Sequence, residues 1–172
     1  AAPETDFLKL DTDAATADAT VWNDTAPTTS VFSVGTDADV NSDGVAYMAY
    51  CWAGVQGFSE FGIYMGSGNA DGPFIWTGFT PAFILIKEYD ATGAWGMWDH
   101  KRGADNPHDN VLSANTTAVQ ATGASEAMDI LSSGFKLRNT DGDWNGSGDF
   151  YIFAAFAAYP VVTSDGVPSR AR

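Results

Sequence analysis

An all-β fold, an antiparallel β-sandwich of jelly-roll or lectin-like kind, is what this sequence predicts, and three observations predict it. Apolar residues alternate or gather in short runs, without the period of about 3.6 residues that marks helices. Clusters of Gly, Pro, Asp and Asn break those runs at roughly the 8–12-residue spacing of sandwiches and barrels. Hydrophobic residues make up 45% of the chain and aromatics 13%, which is ample for a core between two layers.

Strands are predicted over 7–11, 30–35, 45–53, 60–65, 73–77, 82–88, 94–99, 110–114, 134–138 and 149–157. The clearest is Phe83-Ile84-Leu85-Ile86-Lys87. Pro81 opens it at a position where a missing N–H is tolerated. Residues 94–99 read as its hairpin partner, and Asp90-Ala91-Thr92-Gly93 supplies the turn chemistry between them. Two Ala-rich stretches, 12–19 and 116–127, are candidates for a short helix or an irregular loop. Asn115 stands where an N-cap would, although Thr is a poor helix former and neither stretch carries an apolar stripe.

The chain also repeats itself. Residues 7–15 (FLKLDTDAA) return as 111–119 (VLSANTTAV), and 37–53 (DADVNSDGVAYMAYCWA) return as 141–157 (DGDWNGSGDFYIFAAFA), both 104 residues later. In the longer pair Asp37, Asp39, Asn41, Gly44, Tyr47 and Ala53 match Asp141, Asp143, Asn145, Gly148, Tyr151 and Ala157. A fixed offset of this size marks a domain-sized unit rather than a solenoid repeat. The expected organisation is a back half of one repeat over 1–57, packed with a full repeat over 58–160, then a C-terminal arm over 161–172 that holds Arg170 and Arg172.

Charge narrows the function classes. A net charge of −14 and a pI near 4.1 argue against nucleic acid, whose phosphates require a basic face. They argue equally against anionic membrane surfaces. The longest apolar run, 151–159, is too short to cross a bilayer, and AAPETD has none of the features of a secretory leader. Cys51, the lone cysteine, lies in an apolar run and is expected to be a buried small hydrophobe. Few cysteines suit a protein assembled in a reducing compartment.

Three groups of residues are candidate sites. Asp39, Asn41 and Asp43, and likewise Asp141, Asp143 and Asn145, alternate oxygen-bearing side chains ahead of a glycine, as the first half of a calcium loop does. The closing Glu is absent, since Tyr50 and Ile152 occupy the twelfth positions, so plain turns stand ahead of calcium. Among the six tryptophans, Trp76, Trp95, Trp98 and Trp144 are candidates for stacking on sugar rings, with Trp144 in an Asp/Asn/Gly loop the best exposed. Trp95 and Trp98 have opposite parity in one strand, so at least one is core. His100 and His108 flank Lys101, Arg102 and Asp105 in a polar loop, the densest ionisable cluster of the chain. No Ser elbow, HExxH or P-loop accompanies them, and no enzyme is predicted.

Residues 22–36 and 47–52, then 57–62 and the block from Gly66 to Lys87 (GSGNADGPFIWTGFTPAFILIK), with GFKLR at 134–138 and YIFAAFA at 151–157, resemble a domain of structural and tail-fibre proteins of marine bacteriophages. The resemblance covers about residues 7 to 160. It departs at Ile63 and Met65, where smaller or polar residues are expected, and at Glu88-Tyr89. The resemblance implies a phage virion context and a β-rich fold, and it carries no catalytic residues to transfer.

The expectation is therefore a virion protein on a phage tail or capsid surface. It would be a tail-fibre or appendage component that contacts host-surface glycans. Its partners would be further copies of itself, with a trimer the usual fibre symmetry, and other virion proteins. The alternatives are a capsid-decoration or head-fibre protein that stabilises the head, and a glycan-degrading tail spike.

Overall fold

In the computed structural model, residues 4–103 and 105–160 are described; the arm expected over 161–172 lies outside them. The strands in chain order are β1 Asp6–Phe7, β2 Ala17–Asp18, β3 Ser59–Met65, β4 Phe74–Trp76, β5 Pro81–Glu88, β6 Trp95–Asp99 and β7 Asn110–Ser113. They continue with β8 Ala121–Thr122, β9 Met128–Leu131, β10 Gly134–Leu137 and β11 Phe150–Ala157. Two single-turn helices, α1 Ala38–Asn41 and α2 Gly142–Asn145, sit in the Asp/Asn loops. All strand pairs are antiparallel.

A six-stranded sheet runs in the order β3-β11-β5-β6-β7-β8, and a three-stranded sheet in the order β4-β10-β9. Period-two alternation sends one side chain in two to the space between them. Tyr64, Ile84, Ile86, Trp98, Tyr151, Phe153 and Ala155 come from the larger sheet. Ile75, Met128, Ile130, Phe135 and Leu137 come from the smaller. The layers lock through edge-on rings, with Phe135 5.5 Å from Phe153 and 6.3 Å from Tyr64. The all-β sandwich expected from the sequence is what the chain forms.

The β5–β6 hairpin forms as predicted, with Ile84 opposite Trp98 and Ile86 opposite Gly96. Pro81 stands at the first position of β5, where its missing N–H costs no interior ladder bond. Residues 9–16 lie across this hairpin: Trp95 Nε1 donates to Lys9 O at 3.0 Å, Gly93 N to Asp13 O at 2.9 Å and Thr16 N to Tyr89 O at 2.8 Å.

Several expectations are corrected. The Ala-rich stretches form no α-helix. They contribute β2 and β8, and the second holds a short 3₁₀ helix after β8 at Ala124–Glu126. Asn115 does not cap; its Oδ1 accepts from Trp95 N at 3.1 Å. Of 7–11 only Phe7 is in a strand, and β9 was not anticipated. Segments 30–35 and 45–53 carry strand-like sequences yet join no sheet among the described residues. Cys51, in the second of these, is exposed rather than buried.

Candidate functional site

The 104-residue echo in the sequence is an echo of hydrogen bonds. Asp37 Oδ1 accepts from Asp39 N at 2.8 Å, and Asp141 Oδ1 accepts from Asp143 N at 2.9 Å. These are N-cap bonds, each satisfying a free donor in the first turn of α1 or α2. Asn41 Nδ2 donates to Gly35 O at 2.7 Å, and Asn145 Nδ2 to the matching Asn139 O at 2.6 Å. The Tyr47 hydroxyl donates to Ala38 O and accepts from Ser42 N; that of Tyr151 donates to Gly142 O and accepts from Gly146 N. Gly44 and Gly148 turn the chain at φ +72° and +90°, a conformation open to glycine and strained for other residues. The ribbon β1–β2 pairs Asp6 with Asp18 and Phe7 with Ala17, and β7–β8 repeats that register at Asn110–Thr122 and Val111–Ala121.

The two copies differ in what meets them. β11 lies between β3 and β5, paired on both edges. Its counterpart, 46–53, makes no backbone ladder among the described residues. Tyr151 is 0% exposed and Tyr47 48%; Phe135 is 0% exposed and its counterpart Val31 63%. Several positions that form the core in the full repeat therefore face solvent in the other copy, while Phe7, Ser33 and Val40, the counterparts of buried Val111, Leu137 and Trp144, are half-buried. Between 46–53 and the preceding loops lies a groove of about 600 Å³, lined by Trp22, Phe32, Tyr47, Met48, Tyr50 and Trp52 among others. Tyr50 and Trp52 stack at 6.3 Å, and Trp22 meets Phe32 edge-on at 6.4 Å. A contiguous exposed apolar surface of this kind marks an interaction site.

The predicted site residues scatter. Trp144 is buried, not exposed, because α2 turns it inward onto Trp98, with ring centroids 4.9 Å apart at 87°. Gly96 makes room for both: a Cβ there would lie 2.5 Å from the Trp144 ring and 2.6 Å from that of Trp98. Trp98 is core and Trp95 lies on the opposite face of the sheet, buried beneath residue 9. Trp76 alone of the four is exposed, at 63%. It stands with Phe74 on the outer face of β4, and its ring rests over Gly78, whose added Cβ would fall 3.0 Å from the indole. Lys136 and Asp129 lie beside Phe74 in the same sheet, and Asp71 bridges Lys136 at 3.2 Å and Arg138 at 3.1 Å.

His100 and His108 form no joint site. The His100 ring is 3.2 Å from Ala82 O, while His108 is buried, its Nδ1 unpartnered among the described residues. Burial, then the charge of His100, lowers its pKa. In the Asp/Asn loops, Asn145 Oδ1 accepts from Ser67 N at 2.8 Å and so does not point at a cation. Asp39 pairs with Lys9 at 2.6 Å, and Asp43 is exposed. No group of three or more His, Cys, Asp or Glu that could hold a metal occurs among the described residues.

One family model matches this chain, a domain of unknown function, DUF7483, over residues 1–160. The chain belongs to the DUF7483 family. No curated protein and no solved structure matches it. The family match runs through both copies of the Asp/Asn module.

The DUF7483 fold also buries ionisable groups that the sequence did not single out. Lys87 is fully buried, its Nζ donating to Glu88 O and, at 3.2 Å, to Ala91 O. Burial lowers its pKa. A Cβ at Gly93 would meet Glu88 Oε2 at 3.1 Å and Asp143 Oδ1 at 3.3 Å, so these carboxylates face each other across Gly93. Burial raises both above the ordinary carboxyl range, with Asp149 and Asp90 adding to Glu88 and Asp141 adding to Asp143. A raised folded pKa means that the folded state holds the proton more tightly. Its contribution to stability is present below the ordinary values of 4.5 and 3.8 and is lost as pH rises through the raised ones. Glu88→Gln, which cannot ionise, is expected to melt above the parent at neutral pH, and the excess should vanish near pH 4. Melting curves across that range check it; a pH-independent difference would contradict it.

Proposed function

We propose that this chain is a structural module of a bacteriophage virion, in a tail fibre or similar appendage, whose exposed aromatic face contacts a host-surface glycan. The bond-for-bond duplication of the Asp/Asn module supports it most directly. A unit that recurs at a fixed offset, with one copy's core positions left facing outward, is built to be stacked. The resemblance of residues 7–160 to phage structural and tail-fibre domains supplies the virion context. In that setting the module works with like copies and other virion proteins, on the tail or capsid surface, with no catalytic role.

Trp76 is the glycan contact in this proposal. Its indole is exposed and rests over Gly78, with Phe74 two residues away on the same outer face and the charged Lys136 opposite Phe74 on β10, the mixture that sugar rings and hydroxyls require. No metal is assigned a part: among the described residues no group of three or more His, Cys, Asp or Glu is placed to hold one. The test is binding of the intact chain to host cells and host polysaccharide. Trp76→Ala should weaken that binding about tenfold and leave the melting temperature within about a degree, since the ring is mostly in water. A chain that binds neither cells nor polysaccharide overturns the glycan contact.

A further inference from the structure

We propose that segment 46–53 is a docking strand, and that its occupant is a polypeptide segment built like residues 58–104 of this chain, inserting two antiparallel strands on either side of it. The inference rests on the reading of the chain as a stacking module, though not on the host or the particle. The pattern is written in the other copy. There the segment from 58 to 104 supplies β3 and β5 to the two edges of β11, and Tyr64, Ile75, Ile84, Ile86 and Trp98 to its core side.

The first copy has everything that such a segment would meet. Its ribbon and capping module match the second copy bond for bond. On strand 46–53 the positions that match buried Tyr151, Phe153 and Ala155 are Tyr47, Ala49 and Cys51. All three are exposed. Apolar surface on one face and backbone groups of 46–52 that join no ladder among the described residues call for strand addition rather than for a small ligand. A whole second copy fits less well, because its own β3 and β5 are already paired with β11. The fitting occupant is a front-half segment with no back half of its own.

Cys51, the lone cysteine, is a built-in probe of this face. A duplicate of residues 58–104, which contains no cysteine, is placed directly ahead of Ala1 in the full chain. Alkylation of Cys51 by iodoacetamide is then compared with the parent, and hydrogen exchange is followed at 46–53 and 150–157. The expected result is an alkylation rate lower by at least about a hundredfold, with 46–53 gaining protection and 150–157 keeping it. Ile84→Asp and Ile86→Asp in the added copy alone should restore the fast rate. An unchanged rate overturns the proposal. So does an added segment that remains unstructured, because segment 1–57 is proposed to be what folds it. Protection of Cys51 in the parent that rises with its concentration would assign the face to a second copy instead. Since none of these readouts involves host or glycan, failure here is separable from failure of the virion role.

Discussion

Asn145→Ala is expected to lower the melting temperature by roughly 6–12 °C, while Asn41→Ala, its counterpart in the other copy, costs about 1–3 °C. Asn145 is fully buried. Its Oδ1 accepts from Ser67 N at 2.8 Å and Oγ at 3.4 Å, and its Nδ2 donates to Asn69 O at 2.8 Å and Asn139 O at 2.6 Å. Truncation removes the partner of four groups, with Asn139 O buried and those of Ser67 and Asn69 part-buried, and the summed cost is about 3 kcal/mol. Asn41 is exposed and makes one such bond, part-buried, to Gly35 O at 2.7 Å. One lost partner rather than four costs nearer 0.5–1 kcal/mol. Thermal unfolding of the two variants side by side checks the asymmetry. Equal losses would mean that both modules are equally enclosed.

Trp98→Ala is expected to cost about 3–5 kcal/mol, enough to lower the melting temperature by roughly 6–20 °C. The side chain is fully buried, packs edge-on against Trp144, and donates from Nε1 to Glu126 O at 2.9 Å. Alanine would leave a large cavity beneath Trp144 and an unpaired carbonyl. Trp98→Phe fills most of the space and loses only the hydrogen bond, for about 1–2 kcal/mol. Denaturant titration of the two variants separates the cavity from the bond. A Trp98→Ala protein as stable as the parent would place the core elsewhere.

The parts of the fold that a short apolar run and its turn determine were legible. Residues 82–88 and 94–99 are apolar runs of strand length, and the turn at 90–93 fixes their pairing. Segment 45–53 was legible as a strand by pattern, but pairing is supplied by other segments and no pattern within 45–53 reports their presence. Trp144 was misread because an Asp/Asn/Gly loop resembles an exposed turn. Its inward direction depends on the cap at Asp141 and on the space above Gly96, 48 residues away in sequence. The buried Lys87 sits at the end of a strand where a charge reads as solvated, and only the turn from 89 to 93 folding back over it reveals otherwise. The 104-residue echo was visible from the start, while its division into one enclosed and one open copy was not.

Hydrogen exchange at the two matching strands of the unmodified chain tests that division most directly. The amides of 151–156 are bonded to β3 and β5 and should exchange only on global opening, at least about a thousandfold more slowly than those of 47–52. Comparable protection of the two strands in dilute protein would show that 46–53 is already paired, and would contradict the open copy.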